Sequence, residues 1–80
     1  MNKEEIYEII TAVFRDIFDD EEIELNDTTS AEDIEDWDSL TQMILIGELE
    51  KKFSIKFTLK DFFRLQNVGE MVDLIEERVN

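Results

Sequence analysis

An all-α fold, a four-helix bundle of three main helices and one short one with a long acidic first loop, is predicted by three features of the sequence. Proline and cysteine are absent and glycine occurs twice in 80 residues, so the chain lacks the punctuation of a turn-rich β fold. Apolar residues recur at helical spacing in three stretches. Cap-forming side chains stand ahead of those stretches and of a fourth, shorter one. At this length a single domain over residues 1–80, with one modest core, is expected.

Asn2, with Glu5 three residues on, marks the start of a first helix over about Lys3 to Phe18. Ile6, Ile10, Val13 and Ile17 form its apolar stripe, widened by Ile9, Phe14 and Phe18, while Glu4, Glu5, Glu8 and Asp16 lie opposite. From Asp19 to Asp38 the period is lost. Ile23, Leu25 and Ile34 remain as spaced anchors, Asn26-Asp27 reads as a turn, and Ser30 with Asp33 reads as the cap of a single turn, so the segment is expected to be a tethered, functional loop. Asp38 suits the N-cap of a second helix from Ser39 to Phe53. Leu40, Met43, Ile46, Leu49 and Phe53 are expected on its buried face with Leu45 at the margin, and Thr41, Ile44, Gly47, Glu48 and Lys51 on the outward one. Ser54 to Thr58 alternates like a strand but has nothing to pair with, and is read as an extended connection. Thr58 and Asp61 cap a short third helix through Leu65; Asn67 and Glu70 cap a last one carrying Val68, Met71, Val72, Ile75 and Val79. The third helix and the connection before it have no obvious packing partners, which predicts local mobility.

Charge is unevenly distributed. The net charge is −14, and the stretch from Asp16 to Glu50 holds fourteen carboxylates without one Lys or Arg, while the remainder carries eight acids and eight bases. The whole excess therefore surrounds Ser39. Without a clustered basic footprint, nucleic acid is not an expected partner; basic protein surfaces are. If this acidity steers partners, added salt is expected to slow association with a modifying enzyme more than the chemical step, a difference that stopped-flow measurement across ionic strength would read. No apolar run is long enough for stable membrane insertion and no secretory signal is seen, so a soluble cytoplasmic protein, acting as a monomer, is expected.

Histidine is absent as well as cysteine, which removes the usual near-neutral base, the thiolate nucleophile and the commonest metal ligands. The acidic loop lacks the ordered ligand spacing of a calcium-binding helix-loop-helix. No catalytic and no metal-ligating residue is assigned. Attention falls on Asp36-Trp37-Asp38-Ser39-Leu40, where the irregular acidic run meets an apolar helix and places one hydroxyl at a helix start. Three readings of Ser39 compete. It caps the helix; it is a nucleophile, though no base and no Gly-x-Ser-x-Gly elbow accompanies it; or it is the acceptor of a group installed by another enzyme, with helix N–H groups and dipole favouring a phosphodiester there.

Asp38-Ser39-Leu40, following Asp36-Trp37 and leading into an apolar helix that closes with Leu49-Glu50-Lys51-Lys52-Phe53, resembles the attachment region of acyl carrier proteins. Size, helix layout, the long first loop, the acidity and the Asn67-Val68-Gly69-Glu70-Met71 helix start extend that resemblance over nearly the whole chain. The resemblance implies that a phosphopantetheinyl transferase moves 4′-phosphopantetheine from coenzyme A onto Ser39, with Asp38 and Leu40 as the flanks it reads. The arm's thiol would carry acyl or aminoacyl groups between a loading enzyme and a downstream acyltransferase or synthase, so the chain itself is not an enzyme. Arm and cargo would fold back near Leu40, Met43, Ile46, Ile55 and Phe57, residues that core packing also explains. Thr41, Ile44 and Gly47 stand where fatty-acid carriers typically have acids, and Trp37 replaces the small residue often found before the motif. These departures are similar to specialised carriers of secondary metabolism, surface-polysaccharide modification or aminoacyl transfer, with Thr41, Ile44 and Gly47 lining the partner-facing side. The alternative is an unmodified acidic helical interaction module.

Overall fold

The computed structural model describes residues 1–79. Four helices appear among them: α1 (Lys3–Ile17), α2 (Ser39–Phe53), α3 (Leu59–Arg64) and α4 (Val68–Val79). Their limits agree with the cap signals because short-range hydrogen bonds set them. Asn2 Oδ1 accepts the Glu5 N–H at 2.9 Å while Glu5 Oε1 accepts the Asn2 N–H at 3.1 Å. Asp38 with Thr41 and Thr58 with Asp61 form the same reciprocal box. Asn67 accepts the Glu70 N–H at 2.8 Å, and Glu70 reaches back to the Gln66 N–H instead. Phe18 serves as the C-cap of α1 rather than its last residue.

α1 packs against both α2 and α4. Ile6, Ile10, Val13 and Phe14 meet Leu45, Leu49 and Phe53 of α2 and Val68, Met71, Val72, Leu74 and Ile75 of α4 in one core. The burial of α2 departs from expectation. Leu40 and Met43, expected inside, are 69% and 64% exposed, while Gln42 and Leu45 are buried with Leu49 and Phe53, and Ile46 is half-buried. The helix is rotated so that the expected margin residue, Leu45, points at the core. Because α2 is apolar almost all round between Leu40 and Ile46, its own periodicity selects no face.

The long loop is anchored, as expected, by Ile23, Leu25 and Ile34, which pack on the core. Arg15 Nε donates to the Ile23 carbonyl at 2.8 Å, and the Tyr7 hydroxyl donates to Asp27. Burial first, and then that hydrogen bond, hold the Tyr7 hydroxyl well above the usual phenol range. The loop also completes α4: the Thr29 carbonyl accepts the Val68 N–H at 2.9 Å and the Asp27 carbonyl accepts the Gly69 N–H at 3.0 Å. Two first-turn N–H groups that the helix cannot satisfy itself are met this way. At Gly69 a Cβ would lie 2.8 Å from the Asp27 carbonyl oxygen, so the close approach of the two backbones requires glycine.

The third helix has the packing partner that local pattern did not reveal. Asp61 is buried, accepts the Thr58 N–H at 2.8 Å, and meets Arg78 Nη2 at 2.8 and 2.9 Å through its two carboxylate oxygens; Arg78 Nη1 also donates to the Lys56 carbonyl at 2.8 Å. One α4 side chain thus holds both α3 and the extended connection. The Thr58 N–H first, and Arg78 with it, keep the Asp61 carboxyl below its ordinary value. Arg78→Ala leaves that carboxylate buried without its cation, and is expected to lower stability by about 2–3 kcal/mol at neutral pH. That is less than a fully buried pair costs, because the Arg78 side chain keeps 31% of its surface exposed. A depressed folded-state pKa contributes stability above the ordinary 3.8, lost as pH falls through the folded value. Urea titrations should therefore show wild type and variant converging in acid.

Candidate functional site

Ser39 is the first residue of α2, exposed, with no hydrogen bond to its hydroxyl among the described residues. The capping role belongs to its neighbour. Asp38 Oδ1 accepts the N–H groups of Leu40 and Thr41, each at 3.0 Å, and the Thr41 hydroxyl accepts the Asp38 N–H at 2.8 Å. The Thr41 N–H, then the Thr41 hydroxyl and the Leu40 N–H, hold the Asp38 carboxyl below its ordinary value, so the cap stays ionised at neutral pH. Ser39 is thereby freed of any structural duty. The same cap narrows the expectation of several free N–H groups for an anion: Leu40 and Thr41 are taken, and the Ser39 N–H is left open.

Trp37 fixes this corner from beneath. It is 6% exposed, stacks edge-on against Phe14 of α1 with centroids 5.1 Å apart, and its indole N–H donates to the Gln42 side-chain oxygen. Gln42 is itself buried and reaches the Leu65 carbonyl at 3.5 Å. The loop's last turn, the start of α2 and the end of α3 are tied together by this pair. Trp37 precedes the cap and Gln42 is the fourth helical residue, the positions of a hydrophobic staple. That spacing is the sequence signal for the role of Trp37, beyond its departure from the family pattern.

A groove of about 440 Å³ opens beside Ser39. Buried Trp37, Gln42 and Leu65 line it together with Phe62 and Phe63, and Ala31 and Gln66 complete it. Phe62 and Phe63 meet edge to face with centroids 5.8 Å apart. An exposed, unencumbered hydroxyl at the edge of a part-apolar groove fits a flexible arm attached through an ester to phosphate. The chain offers no histidine or cysteine to act as base or nucleophile at this hydroxyl. The sequence-expected fold-back region is divided by the structure: Ile46, Ile55 and Phe57 pack against the core, whereas Leu40 and Met43 face outward.

The residues expected to face partners are distributed along the exposed side of α2. Ile44 is 49% exposed and Gly47 half-buried with open space above it. Thr41 is half-buried, and its hydroxyl is engaged by Asp36 and Asp38. Leu40, Met43 and Ile44 together form an exposed apolar strip continuing from Ser39.

Comparison with known proteins finds both a family model and solved structures that match. A family model described as the phosphopantetheine attachment site matches residues 8–75. Among solved structures, a holo acyl carrier protein from Geobacter metallireducens, determined in solution by NMR, superposes with a TM-score of 0.86 at 44% sequence identity, covering 91% of this chain and 84% of that one. No curated protein matches.

Proposed function

The chain belongs to the phosphopantetheine attachment family of acyl-carrier-like proteins, and from that premise we propose that Ser39 is its attachment point. The family is not itself catalytic, and its cofactor is covalently held 4′-phosphopantetheine. What supports Ser39 is that its hydroxyl is exposed and without a hydrogen-bond partner among the described residues at the first position of α2, the neighbouring Asp38 holding the cap. When attached, the arm supplies a thiol on which acyl groups are held as thioesters. The protein's own residues present and orient. Asp38 fixes the helix start, Trp37 and Gln42 hold that start against the bundle, and Leu40 flanks the hydroxyl on the exposed side where a modifying enzyme would read it.

The cargo pathway that suits this surface is a specialised biosynthetic one, with acyl or aminoacyl groups received from a loading enzyme and handed to an acyltransferase or synthase. The exposed face of α2 supports this reading: Thr41, Ile44 and Gly47 stand where the resemblance puts acids in fatty-acid carriers, and Leu40 and Met43 beside them are exposed and apolar. Thr41, Ile44 and Gly47 are assigned to the partner-facing side. Gly47 lies mid-helix, and a Cβ there would meet nothing within 4 Å. Gly47→Ala is accordingly expected to raise stability by about 0.5–1 kcal/mol in urea titration. Slower transfer to the partner enzyme in the same variant would mark a close approach at this position; unchanged transfer would remove Gly47 from the interface.

The test of the carrier reading is intact-mass analysis after incubation with coenzyme A and a permissive phosphopantetheinyl transferase. A single added phosphopantetheine mass is expected. An unmodified chain, under conditions that fully modify a control carrier, would overturn the assignment.

A further inference from the structure

Two cations of α3, Lys60 and Arg64, stand beside two strongly exposed apolar side chains. Five of the eight Lys and Arg residues lie between Lys51 and Arg64, and all five are exposed. The one acid in that stretch, Asp61, is buried and already neutralised by Arg78. Lys51 leans on Glu48 at 3.7 Å, whereas Lys52, Lys56, Lys60 and Arg64 have no ion pair among the described residues. Leu59 and Phe63 stand among them, 75% and 67% exposed. One exposed apolar side chain means little. Here two lie four residues apart on one face of α3, with Lys60 and Arg64 as the adjoining row, and Phe63 also lines the groove beside Ser39.

We infer that this cationic and apolar face of α3 docks a partner protein bearing an apolar socket rimmed by carboxylates, which takes Leu59 and Phe63 while its acids meet Lys60 and Arg64. The inference rests on the carrier reading of Ser39 and adds the chemistry of the partner's surface. Charge complementarity carries it. Asp38 lines the groove beside Ser39, at the end of the acidic loop; α3, whose Phe62 and Phe63 line the groove's other side, carries the cations Lys60 and Arg64. A partner must match both signs, and docking in the reversed direction would set like charges face to face. The two-signed surface thus fixes the direction in which Ser39 is presented, and a uniformly basic partner patch does not suit it. An anionic bilayer fits less well, because it offers a single sign to a chain of net charge −14.

The test places a photoreactive benzoylphenylalanine at Phe63 of the full chain in its native host and maps crosslinked residues by mass spectrometry. Crosslinks into an apolar site bordered by Asp or Glu are expected. Lys60→Glu with Arg64→Glu should cut their yield about tenfold, and reversing the partner's bordering carboxylates to lysine should restore it. Neither side chain has an ion pair among the described residues, and circular dichroism verifies that the variant is folded; Leu59→Ser gives an independent apolar variant with the same expected loss. Crosslinks to a second copy, to phospholipid, or to a surface without carboxylates would overturn the inference, as would no crosslink or a yield indifferent to charge reversal. Flotation with phosphatidylcholine–phosphatidylglycerol vesicles reads the lipid outcome directly. Intact mass separates the two levels: a wild type lacking phosphopantetheine defeats the carrier reading, whereas a modified wild type without the crosslink defeats only the docking surface.

Discussion

Ser39→Ala is expected to abolish phosphopantetheine attachment while leaving stability within about 0.5 kcal/mol of wild type. Both halves follow from the same geometry. The hydroxyl has no partner among the described residues, and the cap that would suffer in an ordinary helix-start serine is supplied by Asp38 through the N–H groups of Leu40 and Thr41. Alanine at an exposed first helical position is well tolerated. Intact mass after exposure to transferase and coenzyme A, paired with a urea curve, reads both quantities. Modification of the alanine chain to the wild-type extent would move the attachment point elsewhere. A large stability loss would instead show that Ser39 supports the fold and return it to the structural reading.

Trp37→Ala carries the largest expected cost in stability, about 3–5 kcal/mol. The side chain is almost fully buried, meets Phe14 edge to face, and holds the Gln42 amide that in turn reaches Leu65. Removal leaves a cavity between α1 and α2 and a buried amide oxygen without its donor, two separate penalties. For a domain of this size such a loss is a large share of total stability, on the order of 5–10 kcal/mol. Trp37→Phe retains most of the volume and should cost less, about 1–2 kcal/mol, chiefly through the unsatisfied Gln42 oxygen. Denaturation followed by circular dichroism measures all three chains. A Trp37→Ala penalty below about 1 kcal/mol would contradict its role as the anchor of the Ser39 corner. Because Trp37 adjoins Asp38, slower modification of Ser39 should accompany the loss of stability.

The helices were legible residue by residue where the signal was local. Asn2 with Glu5, Asp38 and Thr58 with Asp61 each mark a boundary by a hydrogen bond spanning no more than three residues, and the structure contains those bonds. The loop anchors Ile23, Leu25 and Ile34 were readable because apolar side chains in an otherwise acidic run have few other places to go. The buried face of α2 was not. With apolar residues on nearly every side, the sequence allowed more than one rotation, and contact with α1 together with the Trp37–Gln42 pair selected the one that turns Leu40 and Met43 outward. Asp61 was recognised as a cap but not as a buried ion, since Arg78 lies seventeen positions away.

By itself, then, the sequence determined where the elements begin, that Ser39 opens a helix beside the chain's excess acidity, and the family resemblance around it. Only the tertiary structure decided that the serine hydroxyl is left without a partner among the described residues, that Trp37 is a core anchor, and that α3 carries cations without ion pairs among the described residues and bare apolar side chains. Caps and periodicities arise from neighbours along the chain. The rotation of a helix and the pairing of a buried charge arise from complementarity between segments far apart in sequence, which exists only once they pack.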